Sequence, residues 1–228
     1  MYTEEFPPFN FTENNKIVGV STEVVEAVMK TAGMEYKLES LPWARAFKYA
    51  KDQPNTLIYS ISRRAKREKL FKWIGILVPT VQSVFVLTER TDIAIEQLED
   101  LKRYQIGTTI EDARETYLLN KGFQLDDFQR VGGATAYLQN FKKLRMRRID
   151  VWPMPDAVAY YIVRKAGYAP QKVLRKVFEF TEISQGGYYI AASKRTSDEI
   201  VEKIQDVLRV FKETPKYREI LEKWGLQK

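Results

Sequence analysis

Residue types able to do chemistry are densest between Tyr59 and Lys69, where the chain reads Tyr-Ser-Ile-Ser-Arg-Arg-Ala-Lys-Arg-Glu-Lys. The β-rich run before it, Thr56-Leu57-Ile58-Tyr59-Ser60-Ile61, exits through Ser60 and Ser62. The period of two along a strand places those hydroxyls on one side. A loop and a helix start follow and bring Arg67 back over the strand end. Two hydroxyls, free backbone N–H groups and a forked guanidinium together make a clamp for a carboxylate.

Most other chemistries are closed to this chain. Its 228 residues include no cysteine and no histidine. That excludes disulfide frameworks, Cys or His zinc sites, haem on either ligand, and Ser-His or Cys-His triads. Carboxylates, Lys, Tyr or a Ser-Lys pair are what remain. Neither G-x-G-x-x-G nor G-x-x-x-x-G-K-[ST] occurs, so dinucleotide and P-loop readings have no support. Gly132-Gly133 and Gly186-Gly187 read as turns or hinges. The acidic pairs Glu111-Asp112 and Asp126-Asp127 are adjacent residues, which point to different sides of an element, and they read as surface loop or helix start. No catalytic residue, metal site or cofactor is expected.

The net charge of +7 concentrates in two clusters, Arg63, Arg64, Lys66, Arg67, Lys69 and Lys72, and then Lys142, Lys143, Arg145, Arg147 and Arg148. Nucleic-acid binding would want stacking aromatics beside the cations, yet Phe141 and Leu144 belong to an apolar stripe. Solvated faces are the simpler reading, with no nucleic-acid partner.

The elements that must position these groups alternate along the chain. Apolar spacing predicts helices over 21–32, 43–51, 112–120, 134–146, 155–166, 197–212 and 215–224. Strands are expected over 36–39, 56–61, 81–87, 104–107, 128–131, 149–152, 173–180 and 188–192. Ser21 suits an N-cap, and Thr214 suits another with Pro215 at the first helical position. Gly33, Gly122 and Gly167 each close a helix and lead into strand. This is an α/β architecture of two lobes, each a mostly parallel sheet flanked by helices. Ligands of such folds favour the cleft and the carboxyl ends of strands. The most apolar segment, 74–87, is broken by Pro79, Gln82 and Ser83 and falls short of the ~18 apolar residues of a membrane span. The start, Met-Tyr-Thr-Glu-Glu-Phe-Pro-Pro-Phe, lacks the form of a signal peptide. Either a cytosolic chain or a mature one whose leader has been removed would read this way.

Several short motifs in this order resemble the periplasmic amino-acid-binding proteins of ABC transporters, the polar amino-acid group of family 3. They are Phe6-Pro7-Pro8-Phe9, Gly19-Val20-Ser21-Thr22-Glu23, the small-hydroxyl strand end with Arg67, and a terminal Lys223-Trp224. The stretches Pro42-Trp43-Ala44-Arg45-Ala46 and Asn55-Thr56-Leu57-Ile58-Tyr59-Ser60-Ile61 resemble one proteobacterial branch. The resemblance covers almost the whole chain and implies a type II binding-protein fold. Lobe 1 would comprise 1–83 and 184–228, and lobe 2 would be 84–183. Hinge crossings are expected near Thr80-Val81-Gln82-Ser83 and Thr181-Glu182-Ile183-Ser184, with the ligand closing the cleft between the lobes.

The resemblance also implies roles. Arg67 holds the ligand's α-carboxylate, helped by Ser60, Ser62 and nearby N–H groups. Phe6 and Trp43 sandwich its apolar part, with Glu5 and Arg45 beside them as further ligand contacts. Asp112 and Ala113 supply more carboxylate contacts, and Asp156 meets the α-ammonium. The implied function is capture of an amino acid or similar small carboxylate by a periplasmic monomer serving an ABC permease in the inner membrane. Two alternatives stay open. One is a dehydratase-like enzyme, in which Glu5 or Asp156 would need a raised pKa to act as a general acid. The other is a sensory or ligand-free descendant. The sequence departs from the family where Thr-Pro-Glu gives way to Arg64-Ala65-Lys66, a change of +3 that points toward a more anionic ligand. Met1 stands where the family's first strand is already under way, so a shortened first strand is expected.

Overall fold

The computed structural model describes residues 1–110, 112–133, 135–183 and 186–226. The chain divides into two units, one of residues 1–80 and 184–228 and the other of residues 81–183.

The first unit begins with β1 (Tyr2–Thr3), the hairpin of β2 (Phe11–Glu13) and β3 (Lys16–Val18), and α1 (Val20–Thr31). Gly19, rather than Ser21, is the N-cap of α1. Its φ is 123°, and a Cβ there would lie 2.4 Å from the carbonyl oxygen of Phe9, so the turn admits only glycine. The face foreseen for α1 is buried, with Val24, Val25, Val28, Met29 and Ala32 all in the core. Next come β4 (Glu39–Ser40), α2 (Trp43–Asp52), β5 (Leu57–Ile61), a 3-10 helix (Ala65–Leu70) and β6 (Phe71–Pro79). The strand expected over 36–39 shrinks to Glu39–Ser40, because its partner β1 offers only Tyr2 and Thr3 to pair with.

The second unit holds β7 (Gln82–Leu87), β8 (Ile106–Thr109), α3 (Ala113–Asn120), β9 (Phe128–Val131) and α4 (Ala136–Arg145). It continues with β10 (Trp152–Pro155), α5 (Asp156–Lys165), α6 (Pro170–Val173) and β11 (Leu174–Phe180). The chain then returns through β12 (Gly187–Ser193), α7 (Asp198–Lys212) and α8 (Pro215–Lys223). Thr214 caps α8 as foreseen, its Oγ1 accepting from the N–H of Tyr217 at 3.3 Å. Ala134, the expected first residue of the fourth helix, lies outside the described residues, as do Glu111 of the acidic pair and Ser184 of the second crossing.

The sheets are mixed where a parallel majority was expected. The first unit's sheet runs β4-β1-β5-β12-β6, and β1 is parallel to both β4 and β5. β12 enters between β5 and β6 and runs against both. In the second unit β8 and β9, joined through α3, are parallel, but β7 is antiparallel to β10 and β11 on its two sides. Helical crossovers keep neighbours parallel. The strands by which the chain leaves and re-enters the first unit have no such crossover. Gln82 and Ser83, which the sequence reading leaves with lobe 1, pair along β7 with Pro155 and Met154 and so belong to the second unit's sheet.

Each unit has its own core. The first includes Ala46, Ala50, Ile58, Ile61, Phe71 and Ala191, with Trp43, Phe47, Trp73 and Tyr189 packed at its margin. The second is built on Val84, Val86, Ile106, Leu118, Phe128 and Val151. Each large apolar side chain so buried contributes about 1.5–3 kcal/mol. Among the described residues no helix is long and apolar enough to cross a membrane.

Candidate ligand-binding site

The strand that carries the hydroxyls does not alternate to its end. Ser60 has φ 59°, in the left-handed region, and the register with β12 slips there, Tyr59 facing Ile190 while Ile61 faces Tyr189. The period of two is therefore broken at Ser60, and the expected same-side pairing with Ser62 does not hold. A serine in this conformation costs about 1 kcal/mol or more, a strain that folds keep where a backbone bend is needed. Ser60 is buried, and its Oγ has no hydrogen-bond partner. Ser62 contributes its carbonyl oxygen instead, accepting from Arg67 Nη1 at 3.1 Å.

That bond turns the guanidinium of Arg67 back over the strand end, as foreseen. It lies 5.1 Å from the centroid of the Trp43 ring and 5.4 Å from that of Phe47. Among the described residues no carboxylate comes within ion-pair distance of it. Burial, and then the charge of Arg64, lower its pKa from the usual arginine value, but an arginine so placed stays cationic.

One acid the sequence reading did not single out feels the charge of Arg67 without pairing with it. Glu4 follows β1 directly, and its backbone carbonyl accepts from Asn10 Nδ2 at 2.6 Å. Burial pushes its carboxyl up to about 7, with Arg67 pulling the other way. Its signal in sequence is only adjacency to a strand end; Glu5, one residue on, looks the same. The structure separates them. Glu5 is exposed, and its oxygens accept from Thr12 N and Oγ1, both at 2.8 Å, and from Ser40 Oγ at 2.6 Å. Burial works to raise the Glu5 pKa, but these hydrogen bonds outweigh it and hold the carboxyl below the usual range. Such a group ties loops together as an anion and is a poor general acid.

The two aromatic candidates fall into separate clusters. Phe6 stacks on Phe9 at 5.1 Å and meets the edge of Tyr188 at 5.2 Å. Trp43 leans on Phe47 at 5.6 Å and carries Arg67 on its face. No ring contact joins Phe6 to Trp43. Arg45 is exposed on the first turn of α2. Arg63 donates through Nε to Glu68 at 2.9 Å and lies over the rings of Trp73 and Tyr189, so it is already engaged.

In the second unit the candidates are held by neighbours. Asp112 caps α3, its Oδ1 accepting from Arg114 N at 2.8 Å. Its Oδ2 is ion-paired with Arg114 Nη2 and accepts from Tyr137 OH at 3.2 Å. Arg114 is only 5 % exposed and also donates to Gln82 Oε1 at 3.3 Å. Ala113, half-buried, is the first residue of α3, where backbone N–H groups lack helical partners. Asp156 opens α5, 9 % exposed, with Oδ2 ion-paired to Lys176 and Oδ1 buried without a partner. Lys176 sits where the β11 register slips, a bulge that aims its side chain. Among the described residues no group of three or more acidic side chains could hold a metal ion.

A family model described as bacterial extracellular solute-binding proteins, family 3, matches residues 1–227. The chain belongs to that family. Members of family 3 are binding proteins rather than enzymes. The arginine-binding extracellular protein ArtP of Bacillus subtilis is 20% identical to this family 3 chain over 225 residues, covering 96% of this chain and 82% of that protein. An ancestral arginine-binding protein bound to arginine superposes with a TM-score of 0.72 at 24% identity, over 98% of this chain and 96% of the other. A histidine kinase sensor domain with similarity to periplasmic binding proteins reaches 0.74 at 19% identity, over 98% and 93%. These neighbours share the two-lobed type II binding-protein fold.

Proposed function

We propose that this family 3 protein captures an amino acid or a similar small carboxylate-bearing solute outside the cytoplasm, as a monomer, and hands it to an ABC permease in the inner membrane. One observation carries the reading: the guanidinium of Arg67 is seated on Trp43 and Ser62, with no carboxylate paired to it among the described residues, at a strained strand end. A half-buried cation without an anion is an incomplete arrangement, and a ligand carboxylate completes it with a charge-assisted hydrogen bond.

Two further groups bear on the ligand's charge. ArtP and the ancestral protein are named for arginine, and Glu4, poised near neutrality beside Arg67, could accept a guanidinium or ammonium when ionised. Against a plain zwitterion stands Lys176, whose ammonium already neutralises Asp156. A thermal-shift screen of arginine, other amino acids, dicarboxylates and amine-free acids tests the reading. Ligand at ~100 times its Kd stabilises by roughly 2.7 kcal/mol, enough to move a melting point. A shift with polyamines or sugars alone sinks it. No turnover of a bound acid is expected, and steady multiple turnover would overturn that part.

The sensor-domain likeness favours a second reading, in which the same capture signals rather than transports. Uptake of the identified ligand by cells with and without this gene separates the two: loss of uptake supports transport, and unchanged uptake supports signalling.

A further inference from the structure

Far along the chain from the Arg67 region, the second unit carries a groove of about 610 Å³ between α4 and α5. Leu138, Phe141 and Ile162 line it, together with Met146 and Tyr168, which are 63% and 42% exposed. Two large side chains left this open beside one another form an apolar surface that water covers poorly. Lys142, Arg145 and Lys165 stand on the same groove. Arg145 is held in place, its guanidinium 4.2 Å from the centroid of the Tyr168 ring. A cation stacked on an aromatic ring is a fixed charge rather than a mobile one.

The surrounding charge is one-sided. Residues 128–178, which contain both helices of the groove, carry eleven Lys and Arg against two acids, Asp150 and Asp156, and these are ion-paired with Arg90 and Lys176. Residues 81–127 of the same unit contain ten acidic side chains against five basic ones. A charge separation within one unit sets up a local positive potential at the groove, which raises the local concentration of anions.

We propose that this groove is a second binding site, for a small amphiphilic anion. Its acyl or aromatic body lies on Leu138, Phe141 and Ile162, and its carboxylate meets Arg145, Lys142 and Lys165. The volume falls in the range of small-molecule pockets, which pair an apolar lining with a few polar groups that fix orientation. A membrane-binding face would instead spread its apolar residues along one side of a helix, and a protein partner needs a broader patch than a single groove.

Titration calorimetry of the full chain with decanoate, decanol and decyltrimethylammonium, all below their micellar concentrations, tests the proposal. Decanoate is expected to bind once per chain and at least tenfold more tightly than decanol, and the cation not at all. Lys142→Gln with Arg145→Gln should weaken decanoate at least tenfold and leave decanol unchanged. Met146→Glu, at an exposed position, should weaken decanoate more than decanol by placing an anion at the groove. Unchanged melting points show that these variants fold. Arg67→Ala should leave decanoate affinity as it was. Equal binding of decanol and decanoate overturns the proposal, as does indifference to the double substitution. Loss of decanoate binding in Arg67→Ala would place the anion at the clamp instead. Sedimentation with phosphatidylglycerol vesicles that depends on Lys142 and Arg145, without decanoate binding, would make this face a membrane contact and also overturn it.

Discussion

The first unit holds its candidate charges on neutral partners, and the second unit holds its own on opposite charges. Arg67 rests on two aromatic rings and one carbonyl oxygen, and Glu4 is anchored through its backbone, leaving the carboxyl itself protonatable near neutrality. In the second unit Asp112 is locked by Arg114 and Tyr137, Asp156 by Lys176, and the buried Glu115 by Arg130 and Thr108. Asp112 and Arg114 are both buried, and breaking a buried ion pair by removing one partner costs about 3–5 kcal/mol, so that pair resists redirection to a ligand, while the half-exposed Lys176 holds Asp156 less firmly. The contrast supports the proposal that ligand charge is read in the first unit. What the second unit can still offer is the first-turn N–H groups of α3, or an exchange in which Lys176 gives way.

The largest effect expected from this contrast is on stability. Glu4 has a folded pKa of about 7 against an ordinary value of 4.5. Between those values the folded chain keeps the proton and the unfolded chain has lost it, so stability falls as pH rises through the interval. The loss is on the order of 3 kcal/mol and is complete above the folded pKa. Glu4→Gln removes the titrating group, so urea unfolding at pH 5 and pH 8 should show a variant with a flatter pH dependence than the wild type. Equal pH dependence in the two proteins would show that Glu4 is not held in a desolvated place and that the first unit has no uncompensated acid.

The second effect is on binding. Arg67→Ala leaves a ligand carboxylate without its charge-assisted partner, a loss of at least ~2 kcal/mol, or about 30-fold in Kd. Titration calorimetry with whichever carboxylate shifts the melting point measures it. Near-normal affinity in Arg67→Ala would move the anchor to another arginine, with Arg64 next in line.

The third tests whether the second unit's pairs can be exchanged. Lys176→Gln frees Asp156 from its ammonium while leaving an amide that can still hydrogen-bond to it. Acids bearing an α-ammonium should then bind up to about tenfold more tightly, the scale of one exposed-to-half-buried charge contact, while deaminated analogues stay as they were. Competition titrations with arginine and its 2-oxo analogue give the comparison. Equal effects on both would remove Asp156 from the site.

Much of this was legible in the chain, and the reasons for the exceptions are physical. The return of Arg67 over the strand end was readable because a strand end followed by a short basic helix start leaves few places for a guanidinium to go, and a 3-10 helix with an Arg67–Ser62 bond stands there. The face of α1 and the cap at Thr214 followed from periodicity and local hydrogen-bonding chemistry. The bulge at Ser60 was not readable, because it arises from register with β12, some 130 residues away along the chain. Nor could the sequence distinguish Glu4 from Glu5, since only tertiary packing decides which of two neighbours is desolvated. Mixed sheets escaped for the same reason: local patterns report strands, not the direction from which a distant strand arrives. Lys176 carried no signal at all, as its meeting with Asp156 depends on a register slip between β11 and β7.

The smallest effect concerns the basic turn that holds Arg64 and Lys66. Arg64 is half-buried and Lys66 exposed, while Arg63 is engaged with Glu68 and the rings of Trp73 and Tyr189. Of the three, Arg64 is the one whose charge reaches Arg67, lowering its pKa. Arg64→Thr with Lys66→Glu removes two positive charges and adds a negative one without touching the contacts of Arg67 to Ser62, Trp43 and Phe47. Exposed charges contribute roughly 0–1 kcal/mol each, so affinity for a neutral amino acid should stay within about tenfold. A dianionic ligand should lose more than a neutral one, and most at low salt, because the loop acts on it at longer range. Calorimetry at two ionic strengths with one neutral and one dianionic acid reads both effects. If the double variant stops binding altogether while Arg67→Ala still binds, the first unit recognises its ligand through Arg64 and Lys66, and not through Arg67.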